Sequence, residues 1–266
     1  MSTDVPALIF AQAPAAPETF NLLAYGPPGS GKTTAAASLH PLGKILWVNA
    51  EGAGALAYAR KVAGNENILE VRIDQRDGFD AVSTLREVIR HIRSGNDPRP
   101  ATVVIDTLGK VREALIRQLV VPGAKNSLQQ FGEVAKTLGA TIQVLRDEPV
   151  NLILLAHEQI EDADGERIVR PLIGGALTNT IPGEVDVMTY TSRVNTDDGE
   201  QFLGQLVDAR GRRTKNRSGM LGPFRPLDFA EWLTDYRKAL AVNDPELPFD
   251  PEPATDDTAA QETLAA

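Results

Sequence analysis

One segment of this 266-residue chain restricts its possible folds more than any other. Residues 26–33 read Gly-Pro-Pro-Gly-Ser-Gly-Lys-Thr, which is the phosphate-binding loop pattern G-x-x-x-x-G-K-[ST]. An apolar segment at 20–25 precedes it and an Ala-rich segment at 33–39 follows it, so we predict a strand, the loop and a helix in that order. Glycines let successive backbone N–H groups face an anion, while Lys32 supplies positive charge and the Thr33 hydroxyl a ligand for Mg²⁺. The predicted nucleotide-binding residues are Gly26, Pro27, Pro28, Gly29, Ser30, Gly31, Lys32, Thr33 and Thr34.

Apolar segments alternate with helical segments through the first half of the chain. The predicted strands are 20–25, 44–49, 68–73, 101–106 and 150–156. This alternation is typical of α/β folds in which helices flank a mostly parallel central sheet. Right-handed crossovers place the carboxyl ends of the strands at one edge, where the ligand site is expected. Beyond a polar, turn-rich segment at 158–175, we predict C-terminal antiparallel strands at 185–194 and 201–207 and a last helix at 228–240.

Composition divides the chain into three parts. Residues 1–18 are rich in Pro and Ala and are predicted to be a flexible arm, while 19–241 are expected to form one domain. Residues 242–266 hold seven acidic residues and no Lys or Arg, which predicts a disordered acidic tail. The whole chain has a net charge of −9, so the chain without the tail carries −2, and charge does not exclude nucleic acid as a partner. There are no cysteines, signal peptide or long apolar stretch, so we expect a cytoplasmic protein that does not bind membranes.

Two acidic residues follow strands at the predicted ligand edge. Asp106 ends an apolar strand and is a candidate to bind Mg²⁺ through water, although it could instead cap the helix that follows. Glu51 follows the second strand and could orient the water that attacks a γ-phosphate. The alternative is a solvated glutamate near a helix start.

Three further residues are candidates for the catalytic site. His157 ends the last strand of the parallel sheet and could hydrogen-bond the γ-phosphate, or it could be a partly buried histidine satisfied by backbone groups. Lys215 and Arg217 lie in a basic segment far from the phosphate loop and could act on the phosphate of a neighbouring subunit. The alternatives are a solvated loop or a loop that contacts DNA phosphates.

The motifs occur in an order that resembles the RecA-like recombinase ATPases. Along the chain they are Gly-Pro-Pro-Gly-Ser-Gly-Lys-Thr, Trp-Val-Asn-Ala-Glu, Val-Val-Ile-Asp-Thr, Leu-Leu-Ala-His-Glu-Gln and Lys-Asn-Arg. More closely, the chain is similar to the short, phage-encoded RecA-like ATPases that act in single-strand annealing recombination. The resemblance covers about residues 20–229 and implies a RecA-like P-loop NTPase core that uses ATP and Mg²⁺.

The resemblance also implies roles for individual residues. Glu51 matches the catalytic glutamate of the family. His157 falls where the family has a polar sensor of the γ-phosphate, and RecA itself has Asn-Gln at that place. Lys215 and Arg217 match a basic pair that reaches across the subunit interface to the ATP of the adjacent subunit.

The same resemblance predicts what the chain acts on. Residues 121–130 and 158–175 match the two DNA-contacting loops, so we expect a homo-oligomeric, Mg²⁺-dependent ATPase that acts on single-stranded DNA in recombination or annealing. The second of these segments carries Glu161, Asp162, Asp164 and Glu166 against Arg167 and Arg170, which is a poor electrostatic match for a phosphate backbone. An NTPase with a protein or small-molecule client, a nucleotide-gated scaffold and a small-molecule kinase are therefore alternatives. The acidic stretch 244–250 resembles the tips by which single-strand binding proteins recruit partners, although a solubilising tail also explains it.

Overall fold

The computed structural model describes residues 19–74, 76, 78–163, 165–196, 199–219 and 221–242. The arm predicted at 1–18 lies outside these residues. The tail predicted at 242–266 also lies outside them, apart from Val242, which ends the last helix. In the part of the chain that is described, no helix is both long and apolar enough to cross a membrane.

Strands and helices alternate as predicted through the first five strands. The strands are β1 Asn21–Gly26, β2 Ile45–Asn49, β3 Ile68–Arg72, β4 Thr102–Asp106, β5 Asn151–Ala163, β6 Glu166–Pro171, β7 Val187–Thr196, β8 Gly199–Gln205, β9 Lys215–Asn216 and β10 Phe224–Pro226. The helices are α1 Lys32–Ala37, α2 Ala57–Ala63, α3 Ala81–Ser94, α4 Leu108–Leu119, α5 Ser127–Asp147, α6 Leu177–Glu184 and α7 Phe229–Val242.

One sheet organises the domain, with the strand order β10-β8-β7-β1-β5-β4-β2-β3. The pairs from β7 to β3 along this order are all parallel, whereas β8 pairs antiparallel with β7 and with β10. The predicted α/β class, with its parallel centre and C-terminal antiparallel strands, is confirmed. Because β1, β5, β4 and β2 run in the same direction, their carboxyl ends meet at one edge.

Helices cover both faces of the sheet because successive side chains of each strand point to opposite sides. Leu23 packs with α3, α4 and α5 on one face, while Leu22 packs with α1, α2 and α7 on the other. Trp47 and Trp232 are fully buried on the second face. Burial of a side chain such as Leu22 or Leu23 contributes about 1.5–3 kcal/mol, so the helices on both faces stabilise the sheet.

The structure corrects the prediction of a loop at 158–175. β5 continues to Ala163 and pairs antiparallel with β6, so most of this segment is a β-hairpin that extends from the sheet. Alternating polar and β-branched residues support the pairing, with Ile160 opposite Val169. The helix α6 was not predicted because Pro182 lies inside it. Of the other proposed DNA loop, 121–130, the last four residues already belong to α5.

Candidate nucleotide-binding and catalytic site

The phosphate loop connects β1 to α1 in the predicted arrangement. Gly29 and Gly31 adopt φ values of 76° and 88°, which favour glycine and let the backbone curl. The Lys32 ammonium donates to the carbonyl oxygens of Gly26 (2.9 Å) and Pro27 (2.8 Å). Burial lowers the pKa of Lys32 to about 8. The lysine therefore lies inside the loop, next to the space that a phosphate occupies in such loops.

A cavity of about 720 Å³ opens over this loop. Its lining includes phosphate-loop residues and the predicted Glu51, Asp106 and His157. Glu51 follows β2, Asp106 ends β4, and His157 lies in β5 where that strand pairs with Gly26 at the start of the phosphate loop. The structure thus brings together the residues that the sequence placed at the ligand edge.

Asp106 faces the first turn of α1. Its Oδ2 atom accepts hydrogen bonds from Thr33 Oγ1 (3.3 Å) and from Trp47 Nε1 (3.3 Å). Burial, reinforced by the Glu51 carboxylate, raises the pKa of Asp106 to about 6. A buried carboxylate beside a hydroxyl is an oxygen donor set that fits Mg²⁺, which retains several waters when proteins bind it. The helix-cap alternative is wrong, because Thr107 and not Asp106 is the residue that precedes α4.

Glu51 is held by two neighbours. Thr107 Oγ1 donates to Glu51 Oε1 over 2.6 Å, and His157 Nε2 lies 3.4 Å from the same oxygen. The hydrogen bond with His157 is the main influence that holds the pKa of Glu51 below its ordinary value of 4.5, and burial opposes it. The opposite ring nitrogen, Nδ1 of His157, is buried without a hydrogen-bond partner in the part of the chain that is described. The imidazole is therefore not satisfied by backbone groups, and it contacts the carboxylate.

Sequence reasoning missed the apolar side of the cavity. A Cβ atom on Gly31 would lie 2.9 Å from Phe202 Cδ1 and 3.2 Å from Leu227 Cδ1, so both side chains pack directly on the phosphate loop. Glu200 and the exposed ring of Tyr58 also line the cavity. An apolar wall of this kind suits the base of a nucleotide. No signal in the sequence indicates it, because β8 is far from the loop in sequence and meets it only in the folded sheet.

Lys215 and Arg217 do not line the cavity. Lys215 lies in β9, which pairs with the start of β7 at the edge of the sheet opposite the phosphate loop. Its ammonium donates to three carbonyl oxygens: those of Pro182 (3.0 Å), Gly183 (3.3 Å) and Val185 (2.6 Å). Arg217 forms an ion pair with Asp186. Their role toward a neighbouring subunit stays a prediction.

The hairpin expected to contact DNA has mixed charge. Glu161 forms an ion pair with Arg170 at 2.5 Å, while Asp162 and Arg167 are exposed. The apolar side chain of Ile160 in this hairpin is exposed, and so is that of Val121 in the other segment proposed to contact DNA. These segments lie outside the lining of the nucleotide cavity.

Comparisons with known proteins complete these observations. A family model described as an AAA domain matches residues 19–218. No curated protein sequence matches the chain. Among solved structures, the chain is similar to a KaiC-like protein from the hyperthermophilic archaeon Pyrococcus horikoshii OT3, with 15% sequence identity and a TM-score of 0.41. That match covers 70% of this chain and 77% of the archaeal one.

Proposed function

The chain belongs to the AAA domain family and is thus a P-loop ATPase domain, and from this premise we propose a Mg²⁺-dependent ATPase that acts on single-stranded DNA in recombination or annealing. One observation carries the ATPase proposal. Lys32, Asp106 and Glu51 meet around a single cavity of about 720 Å³. A phosphate ligand, a metal ligand and a base for water are the groups that phosphoryl transfer to water requires.

Each side chain has one step in the proposed reaction. Lys32 and the loop amides would bind the β- and γ-phosphates, and Thr33 and Asp106 would hold Mg²⁺, which would neutralise charge on the phosphates. Glu51 orients a water and takes its proton as the water oxygen bonds to the γ-phosphorus and the bond from phosphorus to the β-phosphate oxygen breaks. His157 Nε2 lies 3.4 Å from Glu51 Oε1 and lines the same cavity, so we expect it to hydrogen-bond either that carboxylate or the γ-phosphate.

The DNA and oligomer parts of the proposal rest on different observations. The ordered motif set supports single-stranded DNA as the partner. Lys215 and Arg217 lie at the sheet edge opposite the phosphate loop, and this placement supports a homo-oligomer in which they serve the next subunit. A client other than DNA is the second candidate function, because Glu161 neutralises Arg170 on the hairpin and Asp162 is exposed there.

ATP turnover measured with and without single-stranded DNA tests the proposal. We expect DNA to stimulate turnover and the substitution Lys32→Ala to abolish it. The substitution Glu51→Gln should lower turnover by about 100-fold or more while ATP still binds. Turnover that DNA does not change, together with no DNA binding at low salt, would leave the ATPase with another client. Turnover that Glu51→Gln does not change would indicate a nucleotide-gated scaffold.

A further inference from the structure

The hydroxyl of Thr107 has an unusual partner. Thr107 is the N-cap residue of α4, yet its side chain makes no capping hydrogen bond to that helix. Threonine at this position ordinarily accepts a hydrogen bond from a backbone N–H of the first turn, which stabilises the helix by about 1 kcal/mol. Asp80, at the equivalent position of α3, does cap its helix by accepting from the Ser83 N–H at 2.8 Å. The Thr107 hydroxyl is therefore directed away from the helix that it precedes.

That hydroxyl donates to Glu51 instead. The distance from Thr107 Oγ1 to Glu51 Oε1 is 2.6 Å, shorter than the 3.4 Å from His157 Nε2 to the same oxygen. Thr107 is only 2% exposed and follows Asp106 at the end of β4, so its position is fixed by the sheet. The Glu51 side chain is 25% exposed and has three rotatable bonds, so it needs such a fixed partner to keep one orientation.

Both contacts fall on one oxygen of the carboxylate. Oε2 of Glu51 has no hydrogen-bond partner in the residues that the structure describes, so it remains available to accept from a water. A carboxylate held at one oxygen and open at the other suits a group that must orient a water. Because Thr107 directly follows Asp106, the same turn sets the spacing between the metal ligand and the base.

We propose that Thr107 is a positioning residue that acts through Glu51, holding Oε1 so that Oε2 meets the attacking water. This role rests on the proposed ATPase function. Thr107 also lines the cavity, but this role requires no contact of its own with the phosphates or the water. Its hydroxyl is required only as a donor, so a serine at this position should serve in its place.

Comparison of Thr107→Val with Thr107→Ser tests the role. Valine keeps the shape and removes the donor, so kcat should fall on the order of 10- to 100-fold, because a small misplacement of a reacting group has effects of this size. KM, and the affinity for a fluorescent ATP analogue measured without turnover, should stay near wild type. Thr107→Ser should retain most of the activity. Thr141→Val is the matched control, since Thr141 is also buried and donates to the Thr137 carbonyl away from the cavity.

A double-mutant cycle with Glu51→Gln separates this role from a structural one. If Thr107 acts through Glu51, Thr107→Val should change the residual turnover of Glu51→Gln by no more than about twofold. An equal loss in both backgrounds would overturn the inference and indicate an effect through Asp106 or the fold. An unchanged kcat in Thr107→Val would overturn the inference as well. If Glu51→Gln still loses turnover in that case, the ATPase proposal stays intact. Wild-type protein without any turnover would overturn both.

Discussion

His157 Nε2 lies 3.4 Å from Glu51 Oε1, although β5, which contains His157, and β2, which precedes Glu51, are separated in the sheet by β4. This contact joins the residue expected to sense the γ-phosphate to the residue expected to prepare the water. A γ-phosphate that binds His157 would therefore compete with Glu51 for the imidazole. The competition gives the site a physical means to respond to ATP. The contact itself makes the acid limb of the pH profile, which is the range where activity falls as the pH is lowered, depend on His157.

The substitution His157→Ala should move that acid limb to higher pH. The hydrogen bond with His157 is the largest influence lowering the pKa of Glu51, while burial raises it. Glu51 must be ionised to accept a proton, so activity is present above its pKa and is lost as the pH falls through it. Without His157 the pKa of Glu51 rises, and kcat/KM should begin to fall at a higher pH than in the wild type.

Steady-state kcat/KM, which reports the ionisation of the enzyme without nucleotide, measured from about pH 4 to pH 8 checks this expectation. His40→Ala is the control, because His40 lies in the short helical turn after α1 and does not line the cavity. An acid limb that stays in place in His157→Ala would show that the contact does not control the ionisation of Glu51.

Asp106→Asn should stabilise the protein in the absence of nucleotide and Mg²⁺. Burial raises the pKa of Asp106 from its ordinary 3.8 to about 6, so between these values the folded state binds a proton that the unfolded state has released. The contribution of Asp106 to the free energy of unfolding is therefore highest below about pH 4, and it decreases until the pH reaches about 6. The loss is about 3 kcal/mol at most, and asparagine avoids it.

Thermal melts at several pH values measure the effect. Asp106→Asn should melt several degrees above the wild type at pH 8 and close to it at about pH 4, while its ATP turnover is lost. The control Asp80→Asn changes an exposed carboxylate that caps α3 and should not reproduce the gain. A lower melting temperature for Asp106→Asn at pH 8 would contradict the argument from burial.

Phe202→Ala should weaken nucleotide binding with little effect on kcat. The ring packs on Gly31 and lines the cavity beside the phosphate loop, and we expect it to contact the base of the nucleotide. Loss of a stacking contact of about 1–3 kcal/mol corresponds to a Kd that is about 5- to 150-fold weaker. Titration with a fluorescent ATP analogue measures it. Phe131→Ala, which removes a similarly exposed ring outside the cavity, should bind like the wild type.

The sequence predicted the part of the site that depends on strand ends. Asp106, Glu51 and His157 each follow a short apolar segment, and parallel strands bring their carboxyl ends to one edge. Periodicity alone therefore places these residues near the phosphate loop. Periodicity also predicts helices at 78–93, 108–120 and 128–146, which agree with α3, α4 and α5 to within a few residues because each has a continuous apolar face.

The remaining features depend on contacts that no local pattern encodes. The contact of Thr107 with Glu51 follows from the direction of one hydroxyl, which sequence cannot distinguish from a helix cap. Phe202 meets Gly31 only because β8 lies two strands from β1 in the sheet. The β5–β6 hairpin has polar residues on both strands, so it resembles a loop in composition.

A mixture of two inactive variants should recover activity if Arg217 serves the neighbouring subunit. A site shared between subunits takes Glu51 from one chain and Arg217 from the next. Glu51→Gln and Arg217→Ala therefore inactivate the two different sides of that site. In a random equal mixture, about a quarter of the interfaces combine an intact Glu51 with an intact Arg217. Turnover of the mixture should therefore reach about a quarter of the wild-type value, above either variant alone.

Arg93→Ala, which removes another exposed and ion-paired arginine, should be active without a partner. A mixture no more active than its components would assign Arg217 to its ion pair with Asp186 within one chain.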